Sequence, residues 1–140
     1  QAGFTHGVSR RRTGQRQFQI NIIASYAGRC AVTGCTTLPV LEAAHLLGFA
    51  ESLDHSSSNG ILLRRDIHAL LDCGFISFDE SYRVRITKRF IDSGNPLGEY
   101  SVLNGRKLYL PDRPAHWPSL EAIAHLRATV GPYIPIPPSP

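Results

Sequence analysis

The residues able to do chemistry concentrate between Leu41 and Asp72, in LEAAHLLGFAESLDHSSSNGILLRRDIHALLD. His45 closes a short apolar run, Asn59 closes the polar loop that follows, and His68 stands near the start of a helical pattern, RRDIHALLD. An unperturbed imidazole titrates close to neutral pH, so a histidine held in one orientation can take a proton from an attacking water. Phosphodiester hydrolysis also needs positive charge at the phosphoryl group, which one divalent metal supplies as a Lewis acid. Its usual ligands are His, Asp, Asn or Glu side chains. Read as elements, the stretch is strand, loop, strand, helix. Pairing the strands and laying the helix across them brings His45, Asn59 and His68 around one small site.

The positioning elements follow from periodicity. In VLEAAHL, alternation sets Leu41, Ala43 and His45 on one strand face and Glu42 and Ala44 on the other. The loop over 48–58 is small and polar, hence superficial. Asn59-Gly60 reads as a turn before the second strand, ILLR. Asp66 suits the first turn of the next helix, and Gly74 stops it. Upstream, a helix begins near Thr13 with Phe18, Ile22, Ile23 and Tyr26 on one apolar face, and ends at Gly28. RCAVTGC reads as a short strand with a turn at Thr33-Gly34. Downstream, FISFDESYRVRIT alternates as a hairpin around Asp79-Glu80-Ser81, and KLYLP reads as a short strand. A last helix starts at Pro118-Ser119-Leu120, with Leu120, Ile123, Ala124 and Arg127 in register. The tail YIPIPPSP is extended. With no repeats and no second core, the fold class is a small α+β domain.

Composition bounds the function. The 140 residues suffice for one domain with its own core, and 42% apolar content is close to ordinary globular usage. No apolar run reaches the roughly 18 residues of a membrane span, and no secretory signal is visible. A chain that lacks methionine and starts at Gln1 reads as a piece of a longer protein. The net charge is +4, with the surplus crowded at Arg10, Arg11, Arg12 and Arg16, at Arg64 and Arg65, and at Arg83, Arg85, Lys88 and Arg89. Such clusters are the footprint of a phosphate-backbone binder, although solvated surface charge looks the same. Three cysteines argue for a reducing, cytoplasmic setting. Cys30 and Cys35 have knuckle-like C-x4-C spacing, but without a second pair they read as free thiols. His6, His55, His116 and His125 are read as surface or structural residues.

The pattern AAH-x13-NGILLRRDIH resembles the HNH endonucleases and their ββα-metal fold. It is most similar to the subgroup with a GRCAVTGC…LEAAH…NG-LLR-DIH-LLD signature, and the likeness runs from about Thr13 to about Arg127. The resemblance implies a ββα-metal core over about 38–73 within a nuclease domain over 13–131. A flexible basic arm over 1–12 and a proline-rich tail over 132–140 flank it. It also implies roles. His45 falls on the general base, Asn59 on the asparagine that orients the base and steadies the loop, and His68 on a metal ligand. Asp72, one turn after His68, faces the same way and is a second ligand candidate. Many HNH enzymes carry a metal-binding Asp or His immediately before the base, where this chain has Ala44. Glu42, on the same strand face, is the candidate to fill that gap, with Asp66 in reserve.

The resulting expectation is an endonuclease that hydrolyses DNA with one divalent metal ion, Mg²⁺ or Mn²⁺ first and Zn²⁺ or Ni²⁺ after them. Arg10, Arg11, Arg12, Arg16, Arg64 and Arg65 would hold the DNA backbone. Since no base-reading helix is apparent, target choice would come from a sensor or recognition domain in the same polypeptide, as in restriction or anti-phage defence proteins. A double-strand break would call for a homodimer. The alternatives are a catalytically silent DNA-binding module, for which Ala44 argues, and an RNA-directed or toxin-type nuclease.

Overall fold

The computed structural model describes the backbone of residues 2–47 and 56–138, with side chains described from residue 14 onward. Among the described residues, two small antiparallel hairpins and four α-helices make up an α+β fold. Helix α1 runs over Ala2–Ser25. Its buried face is Phe18, Ile22 and Tyr26, as the apolar spacing predicts. Residues 2–12, within the stretch expected as a flexible arm, have helical backbone instead. Arginine and glutamine are good helix formers, and extending an existing helix costs far less than nucleating one.

Strand β1 (Leu41–His45) pairs antiparallel with β2 (Gly60–Arg64), in a register that sets His45 opposite Gly60 and Glu42 opposite Leu63. Helix α2 (Arg65–Asp72) follows β2 without a linker. Ile61, Leu62 and Leu63 are all fully buried. Consecutive apolar residues of this kind belong to a strand covered on both faces, and α1 and α2 both pack on β2. Gly60 is required by close approach rather than by a turn: a Cβ there would lie 2.5 Å from both Phe18 and Ile22. Asn59-Gly60 is therefore the entry to β2 and not the turn its composition predicts.

Helix α2 buries Ile67 and Leu71. It ends with Gly74 at φ 73°, where Gly74 N–H donates to Leu71 O and Phe75 N–H to Leu70 O. These bonds satisfy the last carbonyls of the helix, and the left-handed backbone suits glycine. The second hairpin pairs β3 (Ile76–Phe78) with β4 (Val84–Ile86). Asp79 closes its loop by accepting from Ser81 N–H and Arg83 N–H. A short helix not foreseen from the sequence, α3 (Lys88–Asp92), then starts at Thr87, whose hydroxyl accepts from Phe90 N–H. Helix α4 (Leu120–Val130) is capped by Ser119, which accepts from Ala122 N–H. It packs on β3 through Ala122, Ile123, Leu126 and Val130, while Leu120 stays exposed. The buried stripe is thus rotated from the expected one, and it keeps Arg127 in solvent.

Two predicted strands are absent. RCAVTGC forms a turn, because the Cys30 thiol accepts from the backbone N–H groups of Thr33 and Arg64 while Cys30 N–H donates to Cys35 O. KLYLP contributes a single bridge, Lys107 to Arg83, and docks through Tyr109 N–H to Ala31 O. The tail is tied to β4 by Ile134 N–H donating to Ile86 O.

Candidate functional site

His45 ends β1 at the rim of the core, and its ring stacks on Phe18 of α1 at 3.9 Å between centroids and 7° between planes. A near-parallel stack fixes the plane of the imidazole and leaves its edges, which carry the two nitrogens, to polar partners. Asn59 is buried at 2% exposure. Its side-chain oxygen accepts from Leu47 N–H at 2.8 Å, its amide donates to Leu47 O at 3.3 Å, and its backbone carbonyl accepts from Leu46 N–H. These three bonds hold the two residues that follow His45, so the chain cannot swing away from the end of β1.

On α2, His68 lies between two carboxylates. Its Nδ1 is 2.6 Å from Glu42 Oε2, and its Nε2 is 3.6 Å from Asp72 Oδ2, one helical turn on. The other oxygen of Glu42 takes Arg65 Nε at 3.1 Å. Glu42 thus has both oxygens engaged, one of them orienting His68. Asp72 is mostly exposed. Ala44, beside His45, is 2% exposed and packed in the core, so no side chain from that position reaches the site.

His45 and Asp72 line one cleft of about 320 Å³, together with Leu71, Gly74, Arg89 and Thr129. Asp72 thus shares a cleft with His45 and a contact with His68, while His68 and Glu42 line a separate cleft of about 330 Å³ with Leu41 and Arg65, and Asn59 braces the residues after His45. Arg64 and Asp66 stand apart from this group. Arg64 holds Asp66 through two parallel bonds of 2.6 and 2.8 Å, and Tyr100 O–H donates to the same carboxylate at 2.8 Å. The Arg64 fork, opposed by partial burial and aided by Tyr100, lowers the Asp66 pKa to about 2. Asp66 is spent on this structural contact and is no reserve ligand. Arg64, expected on DNA, is half-buried and its fork is occupied. Arg16 is exposed on α1. The side chains of Arg10, Arg11 and Arg12 lie outside the described residues, as do the loop over 48–55 and His55.

Among the described residues, no group of three or more His, Cys, Asp or Glu side chains gathers at metal-binding separation. The side chains here that could hold a metal are the pair His68 Nε2 and Asp72 Oδ2, 3.6 Å apart, with Glu42 behind His68. Pairs of this kind suit a hard divalent ion that keeps waters and takes phosphate oxygens for the rest of its shell. An imidazole steadied by a carboxylate on its far nitrogen is a common arrangement for a ligating histidine. Cys30 is buried, Cys35 partly buried and Cys73 exposed, all as free thiols.

Two residues of the site escaped the sequence pattern. The apolar spacing of α1 marks Phe18 only as core, and its contact with His45 links residues distant in sequence. Arg89 was one member of a basic cluster, and nothing local separates it from Lys88 or Arg85.

The same segment is matched by a known family. Residues 30–79 match the HNH endonuclease family model. That match covers β1, β2, α2 and β3, and it agrees with the ββα arrangement. HNH endonucleases generally use a divalent metal ion. Among solved structures, a modification dependent TagI restriction endonuclease is similar over 81% of this chain, with a TM-score of 0.53 and 22% identity. The likeness spans 37% of that protein, so this chain corresponds to a little over a third of its length. A comparison with curated proteins finds no match. The HNH match supports a nuclease, and the structural likeness shows a shared fold. No described helix is long and apolar enough to cross a membrane.

Proposed function

We propose that the chain is a metal-dependent HNH endonuclease domain that hydrolyses DNA phosphodiester bonds. The observation that carries this reading is the convergence of His45 and Asp72 on one cleft, with His68 held between Asp72 and Glu42. His45, fixed by Phe18 and by the Asn59-bound turn, is the base that takes a proton from water. His68 and Asp72 hold the divalent ion, Mg²⁺ or Mn²⁺, which when bound supplies Lewis-acid charge at the phosphoryl oxygen. Glu42 acts through His68 as an orienting partner, a role its two engaged oxygens favour over direct ligation. Arg16 and Arg65 reach solvent and contribute backbone affinity without sequence information. Target choice then rests with a recognition domain of a larger restriction or defence protein, and a double-strand break with two copies of the site.

A plasmid-nicking assay tests this. Supercoiled DNA is incubated with wild type and His45→Ala in Mg²⁺, Mn²⁺, Ni²⁺ or EDTA. The expected outcome is metal-dependent cutting that disappears in His45→Ala while duplex binding persists. Cutting by His45→Ala at the wild-type rate would end the assignment of the base. The burial of Ala44 favours a second reading, a silent DNA-binding module with the same fold. That module would bind DNA equally well in EDTA and never cut.

A further inference from the structure

Resting on the nuclease reading, we propose that Arg89 is a further catalytic residue, which binds the non-bridging oxygens of the scissile phosphodiester. Arg89 lies on α3, beyond the residues 30–79 matched by the family model. The fold brings it to the cleft that holds His45 and Asp72. Its guanidinium is positioned from two sides. Nη2 donates to Thr129 O in the last turn of α4 at 3.2 Å. Nη1 passes over Gly74, where an added Cβ would come within 3.1 Å of it. The glycine that ends α2 thus leaves the space the guanidinium occupies.

Its bond to Thr129 also leaves its donors unopposed by a carboxylate. Thr129 O is a neutral acceptor, and among the described residues no carboxylate pairs with Arg89. Lys88, Arg127, Arg65 and Arg64 are instead paired, with Asp92, Glu80, Glu42 and Asp66 respectively. A planar guanidinium with free donors facing a cleft matches the two non-bridging oxygens of a phosphodiester, and it is the geometry that favours arginine over lysine.

In the reaction, water oxygen forms a bond to phosphorus as His45 takes the water proton. One ester P–O bond breaks, and its oxygen leaves with the electron pair and takes a proton from solvent. Negative charge grows on the non-bridging oxygens as the new bond forms. Arg89 donors aimed there stabilise the transition state more than the ground state.

The experiment compares wild type, Arg89→Ala, Arg89→Lys and His45→Ala, each checked for an unchanged melting curve. It measures kcat and KM for nicking and, in EDTA, the side-chain Nε–Hε resonance of Arg89 during titration with a short DNA duplex. Arg89→Ala is expected to lose roughly 10²–10³-fold in kcat with a smaller change in KM. Arg89→Lys should recover part of that loss, and the wild-type Arg89 resonance should shift on DNA addition. A kcat for Arg89→Ala within about threefold of a wild type that cuts through His45 overturns the proposal and leaves the nuclease reading standing. Failure of wild type to cut in any metal ends the nuclease reading instead. In that case a stationary Arg89 resonance removes the phosphate-binding role as well, and a shifting one retains it in a silent module.

Discussion

At the scale of single residues, the site is a chain of paired groups: Asp72 to His68, His68 to Glu42, Glu42 to Arg65. Removing the middle of such a chain should affect metal binding in graded steps. His68→Ala should abolish or severely weaken Mn²⁺ binding measured by calorimetry. Glu42→Gln, which keeps size and loses charge, should weaken it roughly 10–100-fold through the orientation of His68. An unchanged Mn²⁺ affinity in Glu42→Gln would show that the Glu42–His68 contact plays no part in holding metal. The placement of His45, Asn59 and His68 on strand, loop end and helix was legible in the sequence, because their spacing is set locally by strand, loop and helix lengths. Asp72 followed from the helical repeat. The role of Glu42 was only half legible: alternation sets it on the strand face, but which partner each oxygen takes depends on α2. Arg64 was misread for the same reason, since adjacent charge says nothing about whether Asp66 has already engaged the fork.

At the scale of elements, α1 does more than cover the hairpin. Phe18 packs over Gly60 on one side and stacks on His45, which faces Gly60 across the register. Gly60→Ala would drive a methyl group into Phe18 and Ile22, both part of the core. It should destabilise the fold by about 1–3 kcal/mol, read from urea unfolding. Nicking should fall even at temperatures where the variant is fully folded, because the ring stacked on His45 is displaced. A folded Gly60→Ala with wild-type activity would mean that Phe18 does not set the position of His45. The helix and hairpin elements were predictable because their apolar residues repeat with the period of the element. RCAVTGC and KLYLP were not. Their alternation matches a strand, but their hydrogen bonds go to a thiol, to isolated carbonyls and to loops, which no local pattern encodes. The rotated face of α4 likewise reflects the position of β3 rather than any property of its own sequence.

At the scale of the whole molecule, the Asp66 carboxylate ties Arg64 at the end of β2 to Tyr100, and these bonds lower its pKa. A group whose pKa is lower folded than unfolded stabilises the fold at any pH above its unfolded value. That contribution fades as pH falls through the folded value. Here it is complete above about pH 4 and lost toward pH 2, from the ordinary value of 3.8 and the folded value of about 2. The midpoint of thermal unfolding should therefore drop between pH 4 and 2, and Asp66→Asn should flatten that drop while lowering stability at neutral pH. Equal slopes in both proteins would remove Asp66 from the acid transition. The tail bears on a different property, the way this molecule meets its own copies at high concentration. Its Ile134 N–H and the Pro132 carbonyl bond to Ile86 and Lys88, and Asn104 holds Pro135. The outer edge of the second hairpin is thus occupied by a segment whose prolines carry no N–H to offer. A strand from another copy finds no template along that stretch, so the same residues that finish the fold also guard it against edge-to-edge aggregation.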